Sequence, residues 1–290
     1  MDKKRGFALT AIVAIVFAAC TSAATTAPAS RTPASLAPST AASGPASQPP
    51  ASASAAAATV RLQLQWAPQA QFAGYFAAEK QGYYAAENLT VNVVPGGPDV
   101  VPQVEGSKAD GPEFTISWVP KVLEATDPAT GELYKADQLN VINWNDYRVA
   151  MLQDAIFVRK AWLETGTNRD VAVRFVRASL KGWIYCRDHP DDCVQYTTDA
   201  GSQLGAGHQK WMMNEVNALV WPSPLGVGMV DPVFWQQTVK VARNAGIIKN
   251  VPSIDAYTTD IAKEALAGIT DDTIAKDFKK GTVEVTAGGN

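Results

Sequence analysis

The sequence predicts an α/β fold, and two patterns in the first sixty residues beyond position 58 predict it. Val60, Leu62 and Leu64 alternate with Arg61, Gln63 and Gln65, the two-residue period of a strand, and Leu89, Val91 and Val93 repeat that period. Between the two runs, Phe72, Tyr75 and Phe76 recur at helical spacing and stop at Gly82, a residue suited to ending a helix. Strand, helix, strand is the rhythm of a parallel sheet covered by helices.

Each element can be justified in order. Lys3, Lys4 and Arg5 precede an apolar run from Gly6 to Ala19, which is too short to span a bilayer and has the character of a signal h-region. Phe17-Ala18-Ala19-Cys20 resembles the bacterial lipobox, so residues 1–20 are expected to be a lipoprotein signal with Cys20 as the lipidated residue. An ordinary secretory signal with a chance cysteine is the alternative. Residues 21–58 are almost wholly Ala, Ser, Thr and Pro, with Arg31 their one charge, and are expected to form a disordered tether. Residues 59–125 hold the first α/β lobe. After its second strand, Pro95 to Asp99 is a loop opening a short helix, and Phe114 to Trp118 is expected to be a third strand. Residues 126–290 are expected to return to the same lobe through strands at Leu139–Trp144 and Ala155–Val158, and then to become helical. Val171, Phe175, Val176, Ser179, Trp183 and Ile184 form one stripe of a helix running toward Asp188. Further helices are expected near 209–219, 232–245, 257–267 and 271–278.

Charge and cysteine content narrow the class. Without residues 1–20 the chain keeps 22 of its 25 basic and 27 of its 28 acidic residues, mildly acidic and with no basic stripe for nucleic acid. Cys186 and Cys193 flank a Pro-containing stretch, and in an exported chain that suggests a local disulfide. Free thiols, or a zinc site using His189, are the alternatives.

The run Leu64-Gln65-Trp66-Ala67-Pro68-Gln69, continued by Gly74-Tyr75-Phe76-Ala77-Ala78 and Gln81-Gly82-Tyr83-Tyr84, resembles the SsuA/THI5-like family, which joins sulfonate-binding proteins to yeast-type thiamine pyrimidine synthases. Gly96-Gly97-Pro98-Asp99 and Gly106-Ser107-Lys108-Ala109-Asp110 continue the likeness. Asn143 to Tyr147, Met151 to Asp154 and Gly182 to Cys186 are similar to its riboflavin and thiamine-precursor binding branch. The resemblance implies a periplasmic-binding-protein type II-like fold, two α/β lobes on a hinge with the ligand in the cleft. Here the second lobe is largely missing: after Lys121-Val122-Leu123-Glu124-Ala125 the chain passes directly to Thr126-Asp127-Pro128, which is similar to the segment beyond that lobe. An internal deletion near Leu123 to Thr126 is the expectation, leaving one α/β lobe plus C-terminal helices.

The candidate ligand site follows from strand ends. Trp66, Tyr75 and Trp118 lie at or beside them, where open α/β sheets hold ligands, and flat heterocycles stack on such rings. Gln69 and Gln71 mark the Trp66 loop as polar. Asn145, Asp146 and Tyr147 follow an expected strand and are candidates for edge-on hydrogen bonds, although a simple turn uses the same residues. All three aromatics also fit a core role. Asp99 is read as a helix cap.

The resulting expectation is a small-molecule binder and not an enzyme: a lipid-anchored ABC-importer protein for riboflavin or a thiamine pyrimidine precursor, served by a permease and an ATPase and needing no cofactor or metal. The resemblance aligns Ser117 with the synthases' lysine and Lys121 with their histidine, so a Schiff base lacks its amine there. A sulfonate or nitrate binder, a surface adhesin and a non-functional remnant are the remaining alternatives.

Overall fold

The computed structural model describes residues 55–97, 118–139 and 142–290. The signal segment with Cys20, most of the tether, the helix opened by Asp99, and Phe114 to Ser117 of the expected third strand lie outside the described residues.

Strands β1 (Ala58–Gln63) and β2 (Leu89–Val94) pair in parallel, in register from Ala58 opposite Leu89 to Gln63 opposite Val94. A parallel pair needs a crossover, and a 3-10 turn (Ala70–Phe72), helix α1 (Ala73–Lys80) and helix α2 (Tyr83–Ala86) supply it. Gly82 stops α1 in the left-handed region at φ 70°, as its lack of a Cβ permits.

Seven further helices are described: α3 (Trp118–Leu123), α4 (Lys160–Leu163), α5 (Asn168–Asp188), α6 (Pro190–Asp199), α7 (Ala206–Val220), α8 (Pro232–Asn244) and α9 (Asp260–Leu266). Helix α5 organises the core. One flank buries Val171, Phe175 and Ala178 against Leu89 and Val91 of the sheet and Tyr84 of α2. Tyr84 stacks on Phe175 with centroids 5.6 Å apart, and its hydroxyl meets Ser179 Oγ at 3.0 Å. Another flank crosses α1 at Gly74 and Gly182, so close that a Cβ on Gly182 would run into the Gly74 carbonyl. Helix α9 covers a third flank through Ala265.

Cys186 and Cys193 are bonded, with Cα atoms 5.5 Å apart, and both are fully buried. The stretch between them is not a plain turn: Pro190 opens α6 at its first position, where a missing N–H costs nothing, so the bond ties the end of α5 to a second helix.

Several expectations change. The tether does not run to residue 58, since β1 begins at Ala58 and buried Arg174 donates to the carbonyls of Ala56 (3.1 Å) and Glu87 (2.6 Å), fixing the chain ahead of the strand. Trp118 ends no strand; it opens α3, whose first turn tolerates Pro120 because those N–H groups have no intrahelical acceptor. Leu139 closes a 3-10 turn (Ala136–Gln138), and Asn143 caps the exposed turn that follows, so the described residues of Leu139–Trp144 form no strand. Ala155–Val158 is apolar but exposed and has no strand beside it among the described residues, so its backbone has no ladder to join. Residues 271–278 form turns and no helix. There Asp272 accepts from the N–H groups of Ile274 (3.0 Å) and Ala275 (2.9 Å), while the carbonyls of Thr273 and Ile274 serve Val227 and Ser223.

Candidate functional site

The loop leaving β1 is built by backbone bonds between two strand ends. Leu64 N donates to the Val94 carbonyl at 2.9 Å, and Gly96 N donates to the Trp66 carbonyl at 2.8 Å, closing the two loops together at the carboxyl edge of the sheet. Gly96 has to be glycine here, because a Cβ would enter the backbone of Leu64 to Trp66. The zipped loops hold Trp66 half-buried over an apolar cluster of Leu64, Phe72 and Phe76, with Tyr75 beside it on the same cluster.

The turn between Trp66 and Tyr75 buries two amides. Gln69 Nε2 donates to Gln71 Oε1 at 2.8 Å, and Gln71 Nε2 finds no acceptor among the described residues. Gln209 of α7 braces the turn, accepting from Ala70 N at 2.7 Å and donating to Ser202 Oγ at 2.8 Å. An unpaired buried donor costs roughly 1–3 kcal/mol.

Tyr75 meets the Trp183 ring edge-on, with centroids 6.3 Å apart and planes at 76°. Burial, and after it the charge of Asp154, pushes its hydroxyl well above the ordinary tyrosine range, so it stays a neutral donor. Asp154 accepts from Gln65 Nε2 at 2.5 Å. Desolvation raises its pKa and the Gln65 amide pulls it back. The arrangement combines a ring face, an amide donor and a carboxylate, which suits a planar molecule carrying both donors and acceptors.

The sequence-based set is thus partly assembled. Trp66 and Tyr75 share the Leu64, Phe72 and Phe76 cluster, and Gln69 and Gln71 are bonded to each other in the turn between them. Asn145, Asp146 and Tyr147 stand in an exposed turn, where Asn145 N and Nδ2 bond Asn143 Oδ1 and Tyr147 is 66 % exposed. No bond or ring contact among the described residues ties them to Trp66 or Tyr75. Trp118 lies in the first turn of α3. Sequence reasoning did not assign Gln65, Asp154 or Trp183 to the site; Asp154 is 89 residues from Gln65, and no periodicity links such distant positions.

The two histidines are engaged elsewhere. His189 stacks on Tyr185, and buried His208 meets Glu124 Oε1 through Nδ1 at 2.6 Å. Among the described residues no three His, Cys, Asp or Glu side chains gather as a metal site, and no helix is long and apolar enough to cross a membrane.

A family model described as NMT1/THI5 like matches residues 69–129 and, in a second overlapping piece, residues 116–193. No curated protein matches the chain.

Proposed function

We propose, from the match of residues 69–193 to the NMT1/THI5-like family model, that this chain is an extracytoplasmic solute-binding lipoprotein of an ABC importer. It is anchored through Cys20 and works with a permease and an ATPase. Its ligand is a small aromatic heterocycle, riboflavin or a thiamine pyrimidine precursor, held without a covalent step. The observation that carries this reading is the half-buried Trp66, packed with Tyr75 on the Leu64, Phe72 and Phe76 cluster at a strand end. Aromatic contact contributes about 0.5–1.5 kcal/mol beyond burial, and the amide and Asp154 supply the edge recognition.

The proposal includes loss of most of a second lobe near Leu123 to Thr126. The family match comes in two pieces that overlap across 116–129, the stretch in which the proposed junction falls. A cleft with one wall removed buries less of its ligand, and weakened binding is the consequence.

Titrating the full-length chain with riboflavin and with hydroxymethylpyrimidine, followed by flavin or tryptophan fluorescence, tests the function. Saturable binding weakened about tenfold by Trp66→Ala is expected, the upper end of one aromatic contact. No response to either compound, affinity untouched by Trp66→Ala, or turnover of a bound compound would each refute it.

A further inference from the structure

A half-open cavity lies where α5, α6 and α7 meet the C-terminal segment, about 300 Å³ in volume and lined by Arg187, Asp191, Lys210, Asn217, Phe278 and Lys279 among others. That volume is at the small end of ligand sites. Its walls are fixed. The Cys186–Cys193 bond ties the end of α5 to the start of α6, and Arg187 lies 4.8 Å over the Trp221 ring while both Asp188 oxygens hold its guanidinium at 2.7 and 2.8 Å.

Asn217 makes the space more than a gap in packing. The residue is 4 % exposed, and its Nδ2 donates to the Cys186 carbonyl at 3.2 Å. That bond fixes which way the amide faces and leaves Oδ1 as a buried acceptor with no partner among the described residues. An unpaired buried acceptor on a cavity wall selects for a guest with an N–H or O–H donor.

Charge at the rim gives the other half of the specificity. Lys210 is paired with Asp191 at 2.9 Å and Arg187 with Asp188, whereas Lys279 has no ion-pair partner among the described residues. One uncommitted cation complements one negative charge. Phe278, half-buried between this cavity and a neighbouring one of about 490 Å³, adds an aromatic wall.

We infer that this cavity is a second ligand site, separate from the Trp66 loop, for a small planar monoanion that carries an N–H donor, of the N-heteroaromatic carboxylate class. The ligand N–H is given to Asn217 Oδ1, its ring lies along Phe278, and its carboxylate faces Lys279.

The test uses pyrrole-2-carboxylate on the full-length chain, read by amide chemical shifts, with N-methylpyrrole-2-carboxylate as the control that lacks the donor. Saturable shifts are expected at the Asn217 side chain and around residues 187–194 and 278–283, with affinity about tenfold lower for the N-methyl compound. Lys279→Glu, an exposed substitution that leaves the core intact, is expected to weaken binding several-fold, and Trp66→Ala to leave it unchanged. That last comparison separates this site from the one proposed for transport. Absence of saturable shifts, as when water alone fills the cavity, equal affinity for the N-methyl compound, indifference to Lys279→Glu, or shifts that gather around Trp66 would each overturn the inference.

Discussion

Replacing Gly182 by alanine adds one methyl group to the middle of α5, where ordinary helix propensity favours alanine by about 1 kcal/mol. The structure reverses that sign. The new Cβ would overlap the Gly74 carbonyl and stand 2.9 Å from Ala78 N and 3.0 Å from Ala78 Cβ. These neighbours are backbone atoms and a Cβ of α1, so no rotamer change relieves the overlap and the two helices have to separate. Overpacking of this kind costs about 1–3 kcal/mol, and contact with rigid backbone places it at the upper end. After the propensity gain, Gly182→Ala is expected to destabilise by about 1–2 kcal/mol, lowering Tm by about 2–8 °C for a domain of this size. Thermal and urea unfolding measure it. Gly97→Ala is the control, since a Cβ there meets nothing within 4 Å among the described residues and should leave Tm near its starting value. Because α1 carries Tyr75, the same substitution should also disturb the Tyr75–Trp183 contact and alter tryptophan fluorescence. A Gly182→Ala protein as stable as the parent would refute the close crossing of α1 and α5.

Other outcomes follow from the same contacts. Arg174→Met strips donors from the carbonyls of Ala56 and Glu87, and is expected to cost about 2–3 kcal/mol in urea unfolding; hydrogen exchange of the β1 amides should rise with it, and unchanged exchange would show that the anchor is dispensable. Replacing Cys186 and Cys193 together by serine opens a short loop, for which chain entropy gives a loss of about 2.5 kcal/mol, read as a lower urea midpoint. The Asp272 carboxyl is held below the usual aspartate range by the Ala275 and Ile274 N–H groups, in that order. A depressed folded pKa means the stabilisation is present above the unfolded value and is lost as pH falls through the folded one. Amides 274 and 275 should therefore stay protected at neutral pH and exchange faster than base-catalysed rates predict below about pH 4; Asp272→Asn should remove that pH dependence.

How much of this was legible beforehand depends on the range of the interactions involved. The alternation at 60–64 and 89–93 and the stripe from Val171 to Ile184 are local periodicities, and the structure carries them as β1, β2 and α5. Expectations failed where a local pattern needed a distant partner. Ile156, Phe157 and Val158 have strand-like composition but no neighbouring strand among the described residues. Residues 271–278 have a helical pattern, yet their backbone bonds Ser223 and Val227 while Asp272 turns the chain on itself. The candidate site shows the same division. Trp66, Gln69, Gln71 and Tyr75 lie within ten residues of one another and were read together, whereas Asp154 reaches Gln65 across 89 residues and Asn145 to Tyr147 remain in their own turn.

The sequence by itself determined the α/β class, the rhythm of the first strands and the long central helix, because propensity, period and turn chemistry act over a few residues. Only the tertiary structure decided which glycines had to be glycine, which amides were left without partners and which carboxylate accepts from Gln65. Those properties arise where distant backbones meet, and a contact between remote positions leaves no period in the chain to be read.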